Sequence, residues 1–123
     1  MDNKQIMIYG YVTTYTEDKL TPLYVSENGL GLEIVQGINH LTYIQIDLLN
    51  IILGKDILNL TIHTTDGYRL FGSSKQGTLG TTIYTSKSQE DILPIPYFGT
   101  YRYVSLSAFG NIDANVYLYS IQF

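Results

Sequence analysis

Two histidines, His40 and His63, and 11 carboxylates are the side chains here that could hold a metal ion or move protons between substrates. There is no cysteine, which removes thiol nucleophiles, thiolate metal ligands and disulfides together. His63 falls on the polar side of an alternating run and His40 stands beside Asn39 in a turn. Neither has a carboxylate pair at ligand spacing, so no metal site is expected. No Gly-x-Ser-x-Gly elbow occurs, and neither histidine has an aspartate positioned to orient it for a serine nucleophile. Glu17-Asp18 and Glu90-Asp91 read as solvated turn charges, not as an acid and base flanking a glycosidic bond. Gly72-Ser73-Ser74-Lys75-Gln76-Gly77-Thr78 has phosphate-loop spacing but lacks the lysine that must follow the second glycine. Gly29-Leu30-Gly31 lacks a third glycine at Ile34, so a dinucleotide fingerprint fails as well. The expectation is a protein that is not an enzyme, with no catalytic residue and no cofactor.

Chemistry of recognition is better represented. The chain has 12 tyrosines and no tryptophan. A phenol offers an apolar ring to a sugar's C–H face or to a protein surface, and a hydroxyl to hydrogen-bond beside it. Tyr9, Tyr11 and Tyr15 fall on one side of an early alternating segment, and Tyr101 and Tyr103 on one side of a late one. Tyr9, Tyr11, Tyr101 and Tyr103 are the expected contact face. Asn28, Asp66 and Arg69 stand near turns and are expected ligand-binding residues, able to hydrogen-bond a polyol. Asn59-Leu60-Thr61 is a formal glycosylation sequon, but in mid-strand it reads as a polar strand face.

The elements that must position these residues have a period of two. Leu58, Leu60 and Ile62 alternate with Asn59, Thr61 and His63; Ile44, Ile46 and Leu48 with Tyr43, Gln45 and Asp47; Arg102, Val104, Leu106 and Ala108 with Tyr101, Tyr103, Ser105 and Ser107. Either face of the last segment, Asn115 to Phe123, could point inward. Asn28-Gly29, Gly54-Lys55-Asp56, Asp66-Gly67, Gly110-Asn111 and the Gly72–Gly77 stretch punctuate these runs. Pro94 and Pro96 confine their segment to a sheet edge or a loop. No helical stripe is convincing. The fold class expected is all-β: residues 1–123 as one β-sandwich, a jelly roll of about eight or nine antiparallel strands.

Charged residues make up 15% of the chain against roughly a quarter in an average soluble domain, and the net charge is −4. That balance argues against capture of nucleic acid or of an anionic membrane. The longest apolar run, Leu48-Leu49-Asn50-Ile51-Ile52-Leu53, is far short of a membrane span, and no classical signal peptide is visible.

The order of motifs from Gly29 onward is familiar. Gly29-Leu30-Gly31-Leu32 precedes a strand ending Ile46-Asp47-Leu48; then come Gly67-Tyr68-Arg69-Leu70-Phe71-Gly72-Ser73, Gly77-Thr78-Leu79-Gly80, Tyr101-Arg102-Tyr103-Val104-Ser105-Leu106-Ser107-Ala108 and Asn115-Val116-Tyr117-Leu118. This resembles the galactose-binding-like (discoidin-like) jelly rolls, and most closely the variant in bacterial exported proteins that includes many with a PEP-CTERM sorting tag. The first 28 residues take no clear part. The resemblance implies a jelly roll that binds through loops at one end of the sandwich, where Tyr24, Asn28, Asp66 and Tyr97 would fall. The exported variant carries acidic residues after its G-L-G-V; here Gly37-Ile38-Asn39-His40 stands there with Glu33 the only acid, so a structural calcium ion finds no support.

Two functions from different classes follow as expectations. The first is a non-catalytic, lectin-like module that binds a glycan. The alternative is a self-assembling subunit of a bacterial surface layer, spore coat, fibre or crystal, or a receptor-binding toxin or adhesin subunit, in which the partners are copies of the chain in a homo-oligomer. A bacterial cell or spore surface is the location the resemblance implies.

Overall fold

In the computed structural model, residues 6–49, 59–65, 67–94, 101–109 and 115–122 are described. Their strands are β1 (Met7–Val12), β2 (Lys19–Thr21), β3 (Leu23–Ser26), β4 (Gly29–Leu32), β5 (Thr42–Asp47), β6 (Asn59–Thr64), β7 (Tyr68–Ser73), β8 (Thr81–Ser86), β9 (Glu90–Pro94), β10 (Tyr103–Ala108) and β11 (Val116–Gln122). They form two antiparallel sheets, β2-β1-β5-β10-β7-β8 and β3-β4-β11-β6-β9. The protein is an all-β sandwich, with more strands than the turn spacing suggested. Three neighbouring pairs, β1–β2, β3–β4 and β7–β8, lie within one sheet; every other connection passes from one sheet to the other. The shortest of these is Pro22 alone, between β2 and β3.

The core follows the alternation. Ile44, Ile46, Val104, Leu106, Tyr68 and Leu70 from the larger sheet meet Leu60, Ile62, Val116 and Leu118 from the smaller one. Each Leu or Ile buried this fully contributes roughly 1.5–3 kcal/mol from removal of its apolar surface from water. Thr61 and His63 lie on the opposite face of β6 and are half exposed, as the period requires. In β11 the inward residues are Val116 and Leu118. A register shift between Leu118 and Ser120 then inserts Tyr119 as an extra residue, which brings Ile121 opposite Leu60 and against the core. Glycine is required where backbones nearly touch: a Cβ on Gly31 would lie 2.4 Å from the Gly37 Cα. Pro94 ends β9, an edge strand, as a residue without an N–H must.

The larger sheet departs from simple alternation. Every residue of β10 is buried, and so is β5 from Thr42 to Ile46. Period two identifies which residues share a face but not whether that face is covered. Here it is covered: residues 74–80, which join β7 to β8, fold back across β10 and β5 and reach Tyr11 on β1. No helix among the described residues is long and apolar enough to cross a membrane.

Candidate functional site

The covering segment is held by one side chain. Gln45, fully buried in β5, accepts the Gly77 N–H through Oε1 at 2.9 Å. Its Nε2 donates to the Thr78 carbonyl at 3.1 Å and to Ser105 Oγ at 3.0 Å. Gly77 has a φ of +76°, a left-handed conformation that favours glycine, and lies over the Tyr11 ring. Ser107 Oγ, also on this face, donates to the carbonyls of Thr42 and Asn39 at 2.7 and 3.1 Å.

Between this segment and the β1–β2 turn lies an open cleft of about 480 Å³. Tyr11 forms its base, Glu17 and Asp18 one rim, and Lys75, Gln76 and Thr78 the other. Tyr11 is stacked on Tyr43, its direct cross-strand partner, with centroids 5.2 Å apart and planes 21° apart. Gln76 Nε2 donates to the Tyr11 hydroxyl at 3.2 Å. The Tyr43 hydroxyl donates to Asp18 Oδ2 at 2.6 Å, and Asp18 Oδ1 accepts the Thr14 N–H at 3.3 Å. Burial, followed by the bond to the Asp18 carboxylate, pushes the Tyr43 phenol far above its ordinary value, so it is a hydrogen-bond donor at every physiological pH. Tyr68 repeats the arrangement in the core: its hydroxyl donates to Asp91 Oδ2 at 2.5 Å, and burial raises it likewise.

Of the expected contact face, Tyr11 and Tyr103 are corrected by this structure. They are 4% and 6% exposed. Tyr11 is covered by Gly77 and Gln76, and the Arg102 guanidinium lies 4.9 Å from the Tyr103 ring centroid. Tyr9 is half-buried beside Tyr11. Tyr101 is half-buried too, its ring occupying the space where a Gly72 side chain would stand. Arg102 alternates with Tyr103 but does not point into the core. Its side chain is 44% exposed and forms a two-pronged pair with Asp47, Nε to Oδ1 at 3.0 Å and Nη2 to Oδ2 at 2.9 Å. That bond holds the Asp47 carboxyl below its usual range.

The expected ligand-binding loops do not converge. Tyr24 lies on edge strand β3 and Asn28 in the β3–β4 turn. Leu30 pairs with Leu118, so Asn28 lies toward the end of the sandwich where β11 finishes and β6 begins. Arg69 lies near the opposite end, one residue into β7. Its side chain is engaged: Nε donates to Thr85 Oγ1 at 3.2 Å, and the guanidinium sits 4.1 Å from the Phe109 ring centroid. Asp66 and Tyr97 lie outside the described residues. Among the described residues there is no group of three or more histidine or carboxylate side chains that could hold a metal. His63 stacks on Tyr119 with ring centroids 4.3 Å apart and reaches Glu90 Oε2 at 3.4 Å, a surface contact with a single acid.

Compared with known proteins, the chain matches no family model, no curated relative and no solved structure. Gln45 and Asp18 gave no sequence signal as site residues: one sits mid-strand, and the other reads as a turn charge.

Proposed function

We propose that this protein is a non-catalytic carbohydrate-binding module and that its glycan sits in the cleft between the β1–β2 turn and residues 74–80. The observation that carries the reading is the cleft's composition. A carboxylate, an amide, an ammonium and a hydroxyl line it on Glu17, Gln76, Lys75 and Thr78, beside the exposed apolar side chain of Leu20. Neighbouring sugar hydroxyls need donors and acceptors side by side, next to an apolar surface. The site is pre-formed, because Gln45 fixes one wall and the Tyr43–Asp18 bond fixes the other, so little ordering is left to oppose binding. The resemblance to galactose-binding-like jelly rolls supports the ligand class. It would place the ligand at loop ends, whereas the cleft opens on the outer face of the larger sheet.

A glycan array followed by calorimetry tests this. The expected result is binding of at least one oligosaccharide, weakened about tenfold by Gln76→Ala or Lys75→Ala, each of which removes a hydrogen bond to ligand. Absence of binding to any sugar at millimolar concentration, with or without calcium, overturns the reading. So does binding that both substitutions leave unchanged.

A further inference from the structure

The cleft offers a sugar no open ring. Tyr11 is covered by Gly77 and Gln76, and the exposed apolar side chain along the cleft is that of Leu20. Stacking of a sugar's C–H face on an aromatic ring has to come from outside it. The same hairpin carries a ring that is fully exposed, that of Tyr15 in the β1–β2 turn. Tyr15 is two residues from Glu17, which lines the cleft, so their Cα atoms stand no more than about 7.6 Å apart.

The turn holds that ring out by bonding to itself and to the rest of the fold. The Thr13 N–H and hydroxyl both donate to the Leu41 carbonyl at 3.0 Å. The Thr14 hydroxyl donates to the Glu17 carbonyl and accepts the Thr16 N–H at 3.3 Å, closing the backbone around Tyr15. On the far side, Asp18 accepts the Thr14 N–H at 3.3 Å and the Tyr43 hydroxyl at 2.6 Å. One foot of the turn is thus tied to Leu41 and the other to Tyr43. The Tyr15 side chain itself makes no ring contact or hydrogen bond among the described residues. A side chain left fully in water contributes no apolar burial to the fold. With its backbone already held and only two torsions to fix, this ring loses little freedom when a partner lies on it.

We propose that Tyr15 is a second sugar subsite and that the protein binds an extended oligosaccharide chain, not a single sugar. This rests on the reading of the cleft as a glycan site and adds to it the course of the chain. One sugar lies in the cleft among Glu17, Gln76 and Thr78, beside Leu20. From there the chain runs past Glu17 to the tip of the hairpin, where a further sugar lays its C–H face on the Tyr15 ring. The phenol hydroxyl at the edge of that ring is available to the hydroxyls of the same sugar. A ligand that ends inside the cleft gains nothing from Tyr15, and a chain long enough to leave it does. The tip of the hairpin therefore selects for length, while the cleft selects for the pattern of hydroxyls.

The test is calorimetry with cello-, manno- and chito-oligosaccharides, which are extended chains, each from the monosaccharide to the hexasaccharide. The wild type is expected to bind the longer members of at least one series more tightly than the shorter ones. Tyr15→Ala removes a side chain that touches nothing in the fold, so its circular dichroism spectrum and urea midpoint should match the wild type. It is expected to bind the hexasaccharide about tenfold more weakly, with the loss shrinking as the chain shortens to fit within the cleft. Tyr15→Phe keeps the ring and should keep most of the gain with length. Gln76→Ala should weaken long and short chains alike, which separates the cleft from the tip. A wild type that binds these sugars, with Tyr15→Ala binding the hexasaccharide equally well, overturns the proposal and leaves the cleft reading standing. So does a loss in Tyr15→Ala that is equal at every length, because the residue would then act through the turn. A wild type that binds no member of the three series also overturns the proposal, and the glycan array then decides the cleft reading by itself.

Discussion

Gln45 and Gly77, 32 residues apart, are joined by a hydrogen bond in which a strand's side chain takes the role of a neighbouring backbone. The amide of Gln45 presents the same acceptor and donor as a peptide group. With it the protein pairs an irregular segment to the outer face of a sheet, where no strand could lie. The segment becomes the wall of a cleft and the roof of a buried polar layer.

Replacing Gln45 with leucine keeps the size of the side chain and removes both ends of that pairing. The Gly77 N–H, the Thr78 carbonyl and Ser105 Oγ all lose a partner. Part of the loss is recovered from water at the exposed end, so a destabilisation of about 1–3 kcal/mol is expected in urea unfolding. Released from the sheet, the segment should also be cut by trypsin after Lys75 much faster than in the wild type. Unchanged cleavage would show that other contacts hold it.

Alkaline pH should unfold the protein through its tyrosines. Tyr43 and Tyr68 have phenols raised above the value of about 10 that they have in an unfolded chain. Their contribution to stability is therefore complete below about pH 10 and declines as the pH rises beyond it, because only the unfolded chain readily gives up these protons. A phenolate absorbance titration should show two tyrosines that ionise only as the far-ultraviolet circular dichroism collapses. Tyr43→Phe and Tyr68→Phe should each remove one of them. Ionisation of all tyrosines before unfolding would contradict this.

At the acid end the informative residue is Asp47. Its carboxyl is held below the unfolded value by Arg102, so its contribution is present above about pH 4 and is lost as the pH falls through its lowered folded value. Asp47→Asn should lower the urea midpoint at pH 7 and leave it nearly unchanged at pH 2. The pair is on the surface, and the difference at pH 7 should shrink in high salt. A difference that persists at pH 2 would locate the effect elsewhere.

Gly31→Ala tests the tightest backbone approach. The new methyl would stand 2.4 Å from the Gly37 Cα, with the Gly37 backbone nitrogen and carbonyl carbon both at 2.8 Å. Main chain on both sides cannot turn aside as a flexible side chain can. A loss of about 3 kcal/mol or more is expected in thermal or chemical unfolding. Gly77→Ala, whose methyl would meet only the Tyr11 ring at 3.5 Å, tests the strained φ separately.

The sequence was readable where one face of a strand is wet. The alternation of Leu60 and Ile62 with Asn59, Thr61 and His63 predicts β6, and the proline at 94 predicts an edge. It misled where a distant segment covers the polar face. Tyr11 and Tyr103 stand at outward positions by period, yet they are buried because residues 74–80 and the Arg102 side chain lie over them. Nothing local to Tyr11 encodes the arrival of Gly77 or Gln76. The bulge at Tyr119 is also unmarked, so the inward turn of Ile121 could not be read from alternation. Asp18 was visible only as a turn charge, since its partner Tyr43 is 25 residues away.

The passage of the chain between sheets bears on how fast the molecule can form. Only three strand pairs are local. The central seam of the larger sheet joins β5 to β10, where Gln45 stands opposite Ser105, 60 residues along the chain. Closing that distance costs entropy before any contact compensates it, and sandwiches dominated by such pairings fold on a scale of roughly milliseconds to seconds. On a ribosome, β1 and β5 would emerge and wait for β10 with their shared sheet unfinished. The newly made chain thus carries the unpaired edge of β5 during synthesis rather than afterwards, and stopped-flow refolding should show the buried polar layer around Gln45 closing in the slowest phase.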